Sequence, residues 1–274
     1  LSVAHLDLPP AVTFSDGSVT LQAQAEIGND TIVSIASQAH ELDASLRETS
    51  ADDISFSFKY RLDSELSGGG PISIESVALA GGLEIHHLKA SLQATSSKTF
   101  DIQDLYAELL GGQLSLSSLK FNDKRIENTQ LELSHLDLDL LLTFAHIDGL
   151  SGSGIMDVSL PVISDEKGIA IKQGTFRATG PGRLSYVKAG VSATNIGLQA
   201  LENFQYESLS GTIDYQADGT YHIAARIEGN NPDMYDGYPV AFNLNINGSL
   251  PELFEALFIS GNFGKAMLKV IRKQ

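Results

Sequence analysis

The stretch ISFSFKYRL, residues 54–62, places an apolar side chain at every even position and a polar one at every odd position. Successive side chains of a β-strand point to opposite faces, so this alternation puts all the apolar groups on one side. The stretch therefore predicts a strand with one buried and one solvated face.

The same two-residue period recurs at residues 19–27, 114–116, 130–134, 221–227 and 241–246. Turn-favouring sequences lie between these runs. They are Asp16-Gly17, Gly68-Gly69-Gly70, Gly81-Gly82, Gly111-Gly112, Asn122-Asp123, Asp218-Gly219 and Asn247-Gly248. Short alternating runs separated by turns are typical of a meandering antiparallel sheet, so we expect a mostly β protein.

Three segments break the period and predict short helices. Residues 136–146 begin as a strand and then crowd apolar side chains together, and residues 196–204 do the same on a smaller scale. From residue 250 onward, Leu253, Phe254, Leu257 and Phe258 form one apolar helical stripe. We expect residues 250–274 to form a helical cap, whose stripe plugs the end of the sheet, docks a partner or covers the core. We treat residues 1–274 as a single elongated domain with a candidate seam at residues 149–154.

Composition excludes several classes of protein. The 274 residues are 42% hydrophobic, which is enough to build a core and excludes intrinsic disorder. Eighteen basic residues against 34 acidic ones give a net charge of −16, which argues against a nucleic-acid partner. The absence of cysteine excludes disulfides and thiolate chemistry. The sequence contains no run of about 18 uncharged apolar residues, so it predicts no membrane-spanning helix.

The sequence predicts no catalytic, metal or cofactor site. The histidines are scattered, and the adjacent pair His86 and His87 would point to opposite faces of a strand. No phosphate-binding or dinucleotide motif occurs. Asp137 and Asp139 would lie about 7 Å apart on one strand face, a spacing that glycosidases use. Because both alternate with leucines, a solvated edge is favoured, and we expect a protein that is not an enzyme.

Periodicity leaves two arrangements of the sheet open. In a closed sandwich, the apolar strand faces would cover each other. In an open trough, the sheet would curl around an apolar inner wall left free for a ligand. The alternation is the same in both.

A series of short segments in the second half resembles the carboxy-terminal region of the YdbH-like proteins. In order, they are GLSGSGI (149–155), LPV (160–162), IAIKQGTF (169–176), ATGPGRLSY (178–186), LENFQY (201–206), LSGTIDY (209–215), IEGNNP (227–232), PVAFNL (239–244) and LPEL (250–253). The resemblance covers residues 136–258.

The resemblance implies a member of the AsmA-like group of Gram-negative envelope proteins. It implies a long periplasmic β-groove that moves phospholipid between the inner and outer membranes, with an inner-membrane anchor upstream of this fragment. It further implies a small outer-membrane lipoprotein that pairs with the terminal strand by strand addition. Dicarboxylate transport, a function with which this family has also been labelled, ranks second. It ranks below lipid transport because no basic cluster here is suited to binding carboxylates.

The expected fold is therefore an elongated, curled, open antiparallel sheet with short helical inserts. We expect the inward apolar positions of successive strands to form the lipid groove. These positions are Phe56, Phe58, Ile85, Leu114, Leu116, Leu131, Leu133, Phe176, Ile213, Tyr215, Ile223, Phe242, Leu244 and Ile246. The alternative function is an envelope interaction module that binds the lipoprotein through an edge strand.

Overall fold

The computed structural model describes residues 12–27, 31–46, 48–79, 82–96, 98–122, 125–145, 149–165, 168–187 and 196–249. Seventeen strands of this part of the chain belong to one sheet. The first nine are β1 (Val12–Phe14), β2 (Ser18–Ile27), β3 (Thr31–Leu46), β4 (Thr49–Leu62), β5 (Leu66–Ala78), β6 (Glu84–Ala94), β7 (Thr99–Leu109), β8 (Gly112–Asn122) and β9 (Arg125–Ile126). The other eight are β10 (Thr129–Asp137), β11 (Leu150–Ser153), β12 (Ile155–Asp165), β13 (Gly168–Ala178), β14 (Gly182–Tyr186), β15 (Phe204–Tyr215), β16 (Thr220–Asn230) and β17 (Val240–Ser249).

The strands form an antiparallel meander, as the turn spacing predicted. Each long strand from β2 to β8 pairs with the next one along the chain. The meander continues through β10, β12, β13, β15, β16 and β17. Four short strands extend their neighbours: β1 extends β2, β9 extends β10, β11 extends β12 and β14 extends β13. The sheet thus has thirteen strand positions.

The sheet is not closed. Among the described residues, β2 pairs only with β3 and β17 only with β16, so these two strands are its edges. Because all the described strands lie in this one sheet, there is no second sheet to cover its apolar face. The sandwich alternative is therefore wrong, and the expectation of a mostly β, open antiparallel sheet is confirmed.

Two short helices lie where the period breaks. Helix α1 (Leu138–Ala145) directly follows β10, and helix α2 (Ile196–Ala200) continues into a single 3-10 turn (Leu201–Asn203) before β15. Another 3-10 turn (Tyr235–Gly237) precedes β17. Both helices lie at the side of the sheet where β10 ends and β15 begins, which we call the capped rim; the opposite strand ends form the free rim. The expected cap at residues 250–274, with Leu253, Phe254, Leu257 and Phe258, lies outside the described residues.

Two glycine sequences that were expected in turns lie inside strands instead. Gly68, Gly69 and Gly70 belong to β5, where a Cβ on Gly69 would overlap the carbonyl oxygen of Leu92. Gly248 belongs to β17, where a Cβ would overlap the ring of Tyr221. These glycines allow a close approach between strands rather than a change of chain direction. The candidate seam also contains a strand, because β11 pairs with β14.

Candidate functional site

One face of the sheet carries the apolar half of every alternating strand, and we call it the inner face. Residues directly opposite each other in an antiparallel pair point to the same side, so the register identifies this face strand by strand. For example, Leu114 opposes Leu133, Leu133 opposes Val158, and Val158 opposes Phe176. The same reasoning assigns Ile213, Ile223 and Ile246 to one row.

All fourteen sequence-predicted groove residues lie on the inner face. They are Phe56 and Phe58 of β4, Ile85 of β6, Leu114 and Leu116 of β8, Leu131 and Leu133 of β10, Phe176 of β13, Ile213 and Tyr215 of β15, Ile223 of β16, and Phe242, Leu244 and Ile246 of β17. Four of them, Phe58, Ile85, Leu116 and Tyr215, are buried, and the others are half-buried. Half-burial is expected where strand neighbours cover the sides of a residue and the space above it is only partly filled.

The inner face is uncharged throughout the described strands. Its inward positions hold apolar side chains, glycines and a few hydroxyl groups such as Ser37, which is opposite Phe58. Burial raises the pKa of two inward phenols, Tyr60 and Tyr206, above the usual value, at which they are already neutral near pH 7. A ligand on this face therefore meets neither an acid nor a base.

Three buried clusters cover part of the inner face. The largest lies at the capped rim of β10–β17 and includes Phe204 and Tyr206, which are 0% and 1% exposed. The second contains Leu83, Ile85, Ala107 and Leu109 of β6, β7 and the segment before β6. The third contains Leu160, Ile171 and Tyr215. Leu133 of β10 packs against all three and marks the middle of the covered region.

The helices supply the cover at the capped rim. Leu141 and Leu142 of α1 pack against the largest cluster, and Phe144 packs against the second one. Leu201 of the 3-10 turn is buried in the largest cluster. The buried Asn231 holds α2 in place, because its Nδ2 donates hydrogen bonds to the carbonyl oxygens of Gln199 (3.3 Å) and Ala200 (3.1 Å). Beside α1, a cleft of about 830 Å³ opens between the helix and the β7–β8 turn.

Strands β1–β4 have less cover from the described residues, although Ala39, Leu42 and Phe58 are individually buried. None of their described residues belongs to a buried cluster. On β4, the rings of Phe56 and Phe58 stack at 4.6 Å, and that of Tyr60 follows at 6.0 Å. On the edge strand β2, the inward Leu21 is 62% exposed and Ile27 is 86% exposed. The apolar face is thus most open near the amino-terminal edge.

Ionisable groups lie on the opposite, outer face. His87 of β6 lies between two carboxylates, with Nε2 3.1 Å from Glu75 and Nδ1 3.0 Å from Glu108. The hydrogen bond that His87 donates to Glu108 and the charges of both carboxylates raise the pKa of His87. The same bond lowers the pKa of Glu108. Within the described ranges, no group of three His, Asp or Glu side chains is arranged to hold a metal ion.

The geometry imagined for Asp137 and Asp139 is wrong. The strand ends at Asp137, and Asp139 lies in the first turn of α1, so the two do not share a strand face. The carboxylate of Asp137 instead accepts a 2.8 Å hydrogen bond from the backbone N–H of Asp139, which satisfies a donor at the start of the helix. This contact gives Asp137 a structural role.

Fold and site together define an open antiparallel sheet protein with one uncharged apolar face. A family model described as "YdbH-like: Intermembrane phospholipid transport protein YdbH" matches residues 2–269, and the chain belongs to this family. The match extends the resemblance seen at residues 136–258 over nearly the whole chain. No curated protein and no solved structure matches the chain.

Family membership supports a general role in lipid transport, with phospholipid as a consistent cargo. It also suggests a location in the cell envelope, and the family is not a class of enzymes. Across the described residues, no helix has the length and apolar character needed to cross a membrane.

Proposed function

We propose that the inner face is the wall of a trough along which phospholipids pass between the inner and outer membranes. The observation that supports this most directly is its uncharged apolar surface, which runs through all thirteen strand positions and over β1–β4 is covered by no buried cluster of the described residues. At about 4.8 Å between strands, such a surface extends for roughly 60 Å, about twice the hydrocarbon thickness of a bilayer.

The energetics suit passive movement. Each CH₂ of an acyl chain that leaves water is stabilised by about 0.8 kcal/mol, wherever along the wall it lies. A continuous wall therefore holds the chain without favouring one position strongly, and the headgroup stays in water. No catalytic residue is required, so we propose transport without chemistry. The inner face offers no basic side chain to a dicarboxylate, which disfavours the label-based alternative.

Position-specific photo-crosslinking tests the trough. A crosslinking amino acid at Phe56 or Leu244, both on the inner face, should label phospholipid in a Gram-negative host. Matched positions on the outer face of the same strands, Lys59 and Asn243, should not. Mass spectrometry of lipid extracted from the purified chain gives the cargo. The proposal is overturned if no phospholipid co-purifies and both faces label equally.

A second function, protein docking, is supported by the edge strands. The outer backbone edges of β2 and β17 are unpaired within the described part of the chain, and such edges accept an added strand. We propose that an outer-membrane lipoprotein pairs with β17 and that an upstream segment anchors the protein in the inner membrane. Crosslinks at β17 to a protein, with no lipid on the inner face, would favour docking as the sole function.

A further inference from the structure

Four strands of the sheet contain a bulge of one design, in which two residues oppose a single residue of the neighbouring strand. The bulges are His40–Glu41 opposite Ser55, Asp52–Asp53 opposite Asp43, Ser134–His135 opposite Asp157, and Lys172–Gln173 opposite Asp214. In each one, the second bulge residue has a positive φ, between 49° and 59°. This conformation is uncommon for residues other than glycine and requires support from its surroundings.

The support comes from the single opposing residue. The backbone N–H of Gln173 donates to Asp214 Oδ1 at 2.9 Å, and that of His135 donates to Asp157 Oδ1 at 3.1 Å. Likewise, Asp53 donates to Asp43 Oδ1 at 3.0 Å, and Glu41 donates to Ser55 Oγ at 3.2 Å. A side-chain oxygen thus holds the strained residue in each of these four bulges, which we call the locked bulges.

Two further bulges show that the hydrogen bond is not an automatic result of bulging. His87 of β6 and Asp104 of β7 also have positive φ, at 51° and 50°, beside register shifts. On the outer face, His86–His87 lie opposite Glu108, between the inward Ile85 and Leu88, and Gln103–Asp104 lie opposite Ser91, between the inward Ile102 and Leu105. The positive-φ residue is again the second of the pair, but Glu108 contacts the ring Nδ1 of His87 at 3.0 Å rather than its backbone N–H. The lock therefore depends on how the opposing Asp or Ser side chain is placed and not on the bulge alone.

The locked bulges lengthen one face of the sheet. Lys172 and Gln173 are both exposed on the outer face, while Ile171 and Gly174, on either side of them, point inward. The outer side of the strand thus gains a residue that the inner side lacks. Bulged strands bend, and extra length on the outer side bends the strand around the inner face. Repeated in β3, β4, β10 and β13, this bend makes the apolar face concave.

We infer that Asp157 and Asp214 are positioning residues that set the curvature of the trough, and hence how much acyl chain it holds. The inference rests on the proposed function, because curvature matters to cargo only if the inner face holds lipid. Neither aspartate touches the inner face. Each acts through the backbone of the opposite bulge.

The test compares two double variants of the 274-residue chain. Asp157→Ala with Asp214→Ala removes both acceptors, and Asp157→Asn with Asp214→Asn keeps an oxygen that can accept the same backbone N–H. We expect bound phospholipid per chain, counted by native mass spectrometry, to fall several-fold in the alanine variant and to stay near the parent value in the asparagine variant. Hydrogen exchange of the peptide that contains Gln173 should accelerate by about fivefold in the alanine variant only.

Asp101→Ala is the matched control. Asp101 accepts hydrogen bonds from Ser118 Oγ and Gln103 Nε2, both at 2.8 Å, and locks no bulge. Its loss removes one aspartate charge, as each single substitution at Asp157 or Asp214 does, and should leave lipid binding unchanged. Equal lipid loss in the asparagine and alanine variants, or parent-like binding in both, would overturn the inference. If the parent itself holds no lipid, the proposed function fails. Unchanged hydrogen exchange at Gln173 in the alanine variant would show, independently, that Asp214 does not hold the bulge. Should the double variant not fold, Asp214→Ala and Asp214→Asn give the same comparison.

Discussion

Strands β1–β4 and strands β10–β17 follow the same alternating pattern, yet only the second group buries it in a packed cluster. In β10–β17, α1, α2 and the 3-10 turn cover the capped rim, and Phe204 and Tyr206 are withdrawn from solvent. In β1–β4 no described helix lies above the inner face, and Leu21 remains 62% exposed. The pattern therefore fixes which face is apolar, whereas the helices decide where that face is filled by protein.

The comparison suggests a division of labour along the sheet. The carboxy-terminal strands provide most of the folding free energy, because fully buried side chains contribute far more than half-exposed ones. The amino-terminal strands keep apolar surface exposed, which costs stability and is expected where a ligand supplies the missing contacts. Mutations in the two groups should therefore separate stability from lipid binding.

The largest effect is expected from Phe204→Ala in the covered group. Phe204 is fully buried and packs edge-on against Phe242 at 5.2 Å, so its removal leaves a cavity. We expect a loss of about 3–5 kcal/mol in the free energy of unfolding, measured by urea denaturation. Phe56→Ala, at a half-buried position in the open group, should cost clearly less. Equal losses at the two positions would contradict the comparison.

A smaller effect is expected when the cover is loosened. Asn231→Ala removes the donor to the carbonyl oxygens of Gln199 and Ala200 and leaves them unsatisfied beside α2. We expect a loss of about 1–3 kcal/mol in unfolding free energy. Faster hydrogen exchange at residues 196–203, with β1–β4 unchanged, would confirm the local origin. Asn203→Ala, which removes an exposed hydrogen bond to Asp233, serves as the control.

Little effect on stability is expected from Leu21→Ser on the edge strand. Because the side chain is mostly exposed, the unfolding free energy should change by about 0.5 kcal/mol or less. Bound phospholipid should nevertheless decrease, because the substitution interrupts the apolar wall where protein contributes least cover. Thr20→Ser, on the outer face beside it, should leave both quantities unchanged. A large loss of stability in Leu21→Ser would show that β2 is packed after all.

The smallest effect is a pH dependence from the outer face. The pKa of His87 is raised above 6.5, so its pairing stabilises the fold fully below that pH and is lost as pH rises through the raised value. The pKa of Glu108 is lowered below 4.5, so its contribution is present above that pH and is lost as pH falls. The difference in unfolding free energy between the parent and His87→Gln should be greatest between these limits. An equal difference at pH 5.5 and pH 9 would exclude the ion pair as its cause.

Sequence alternation predicted the apolar face well, because side-chain direction in a strand follows directly from position. Leu114, Phe176 and Ile246 lie far apart in the chain, yet all three point inward. The period could not separate an open sheet from a sandwich, since both need one apolar face per strand. That question depends on which strands pair and on what covers them.

The bulges and the misplaced glycines show where local sequence rules fail. Gln173 has no intrinsic preference for positive φ. Its conformation and that of His135 are supported by Asp214 and Asp157, which lie in neighbouring strands. The sequences around Gly69 and Gly248 are typical of turns, but in the structure these glycines allow close packing between strands. In both cases the deciding contact is distant in sequence, so no local pattern reveals it.

The plain meander of the sheet has a consequence for how such a molecule changes length over generations. Because each strand bonds only to its immediate neighbours, duplicating or deleting one hairpin in β2–β7 would leave every other pairing intact. Each such event would alter the reach of the sheet by about 10 Å, two strand spacings, without rethreading the chain. The number of hairpins could thus match the length of the sheet to the thickness of the envelope.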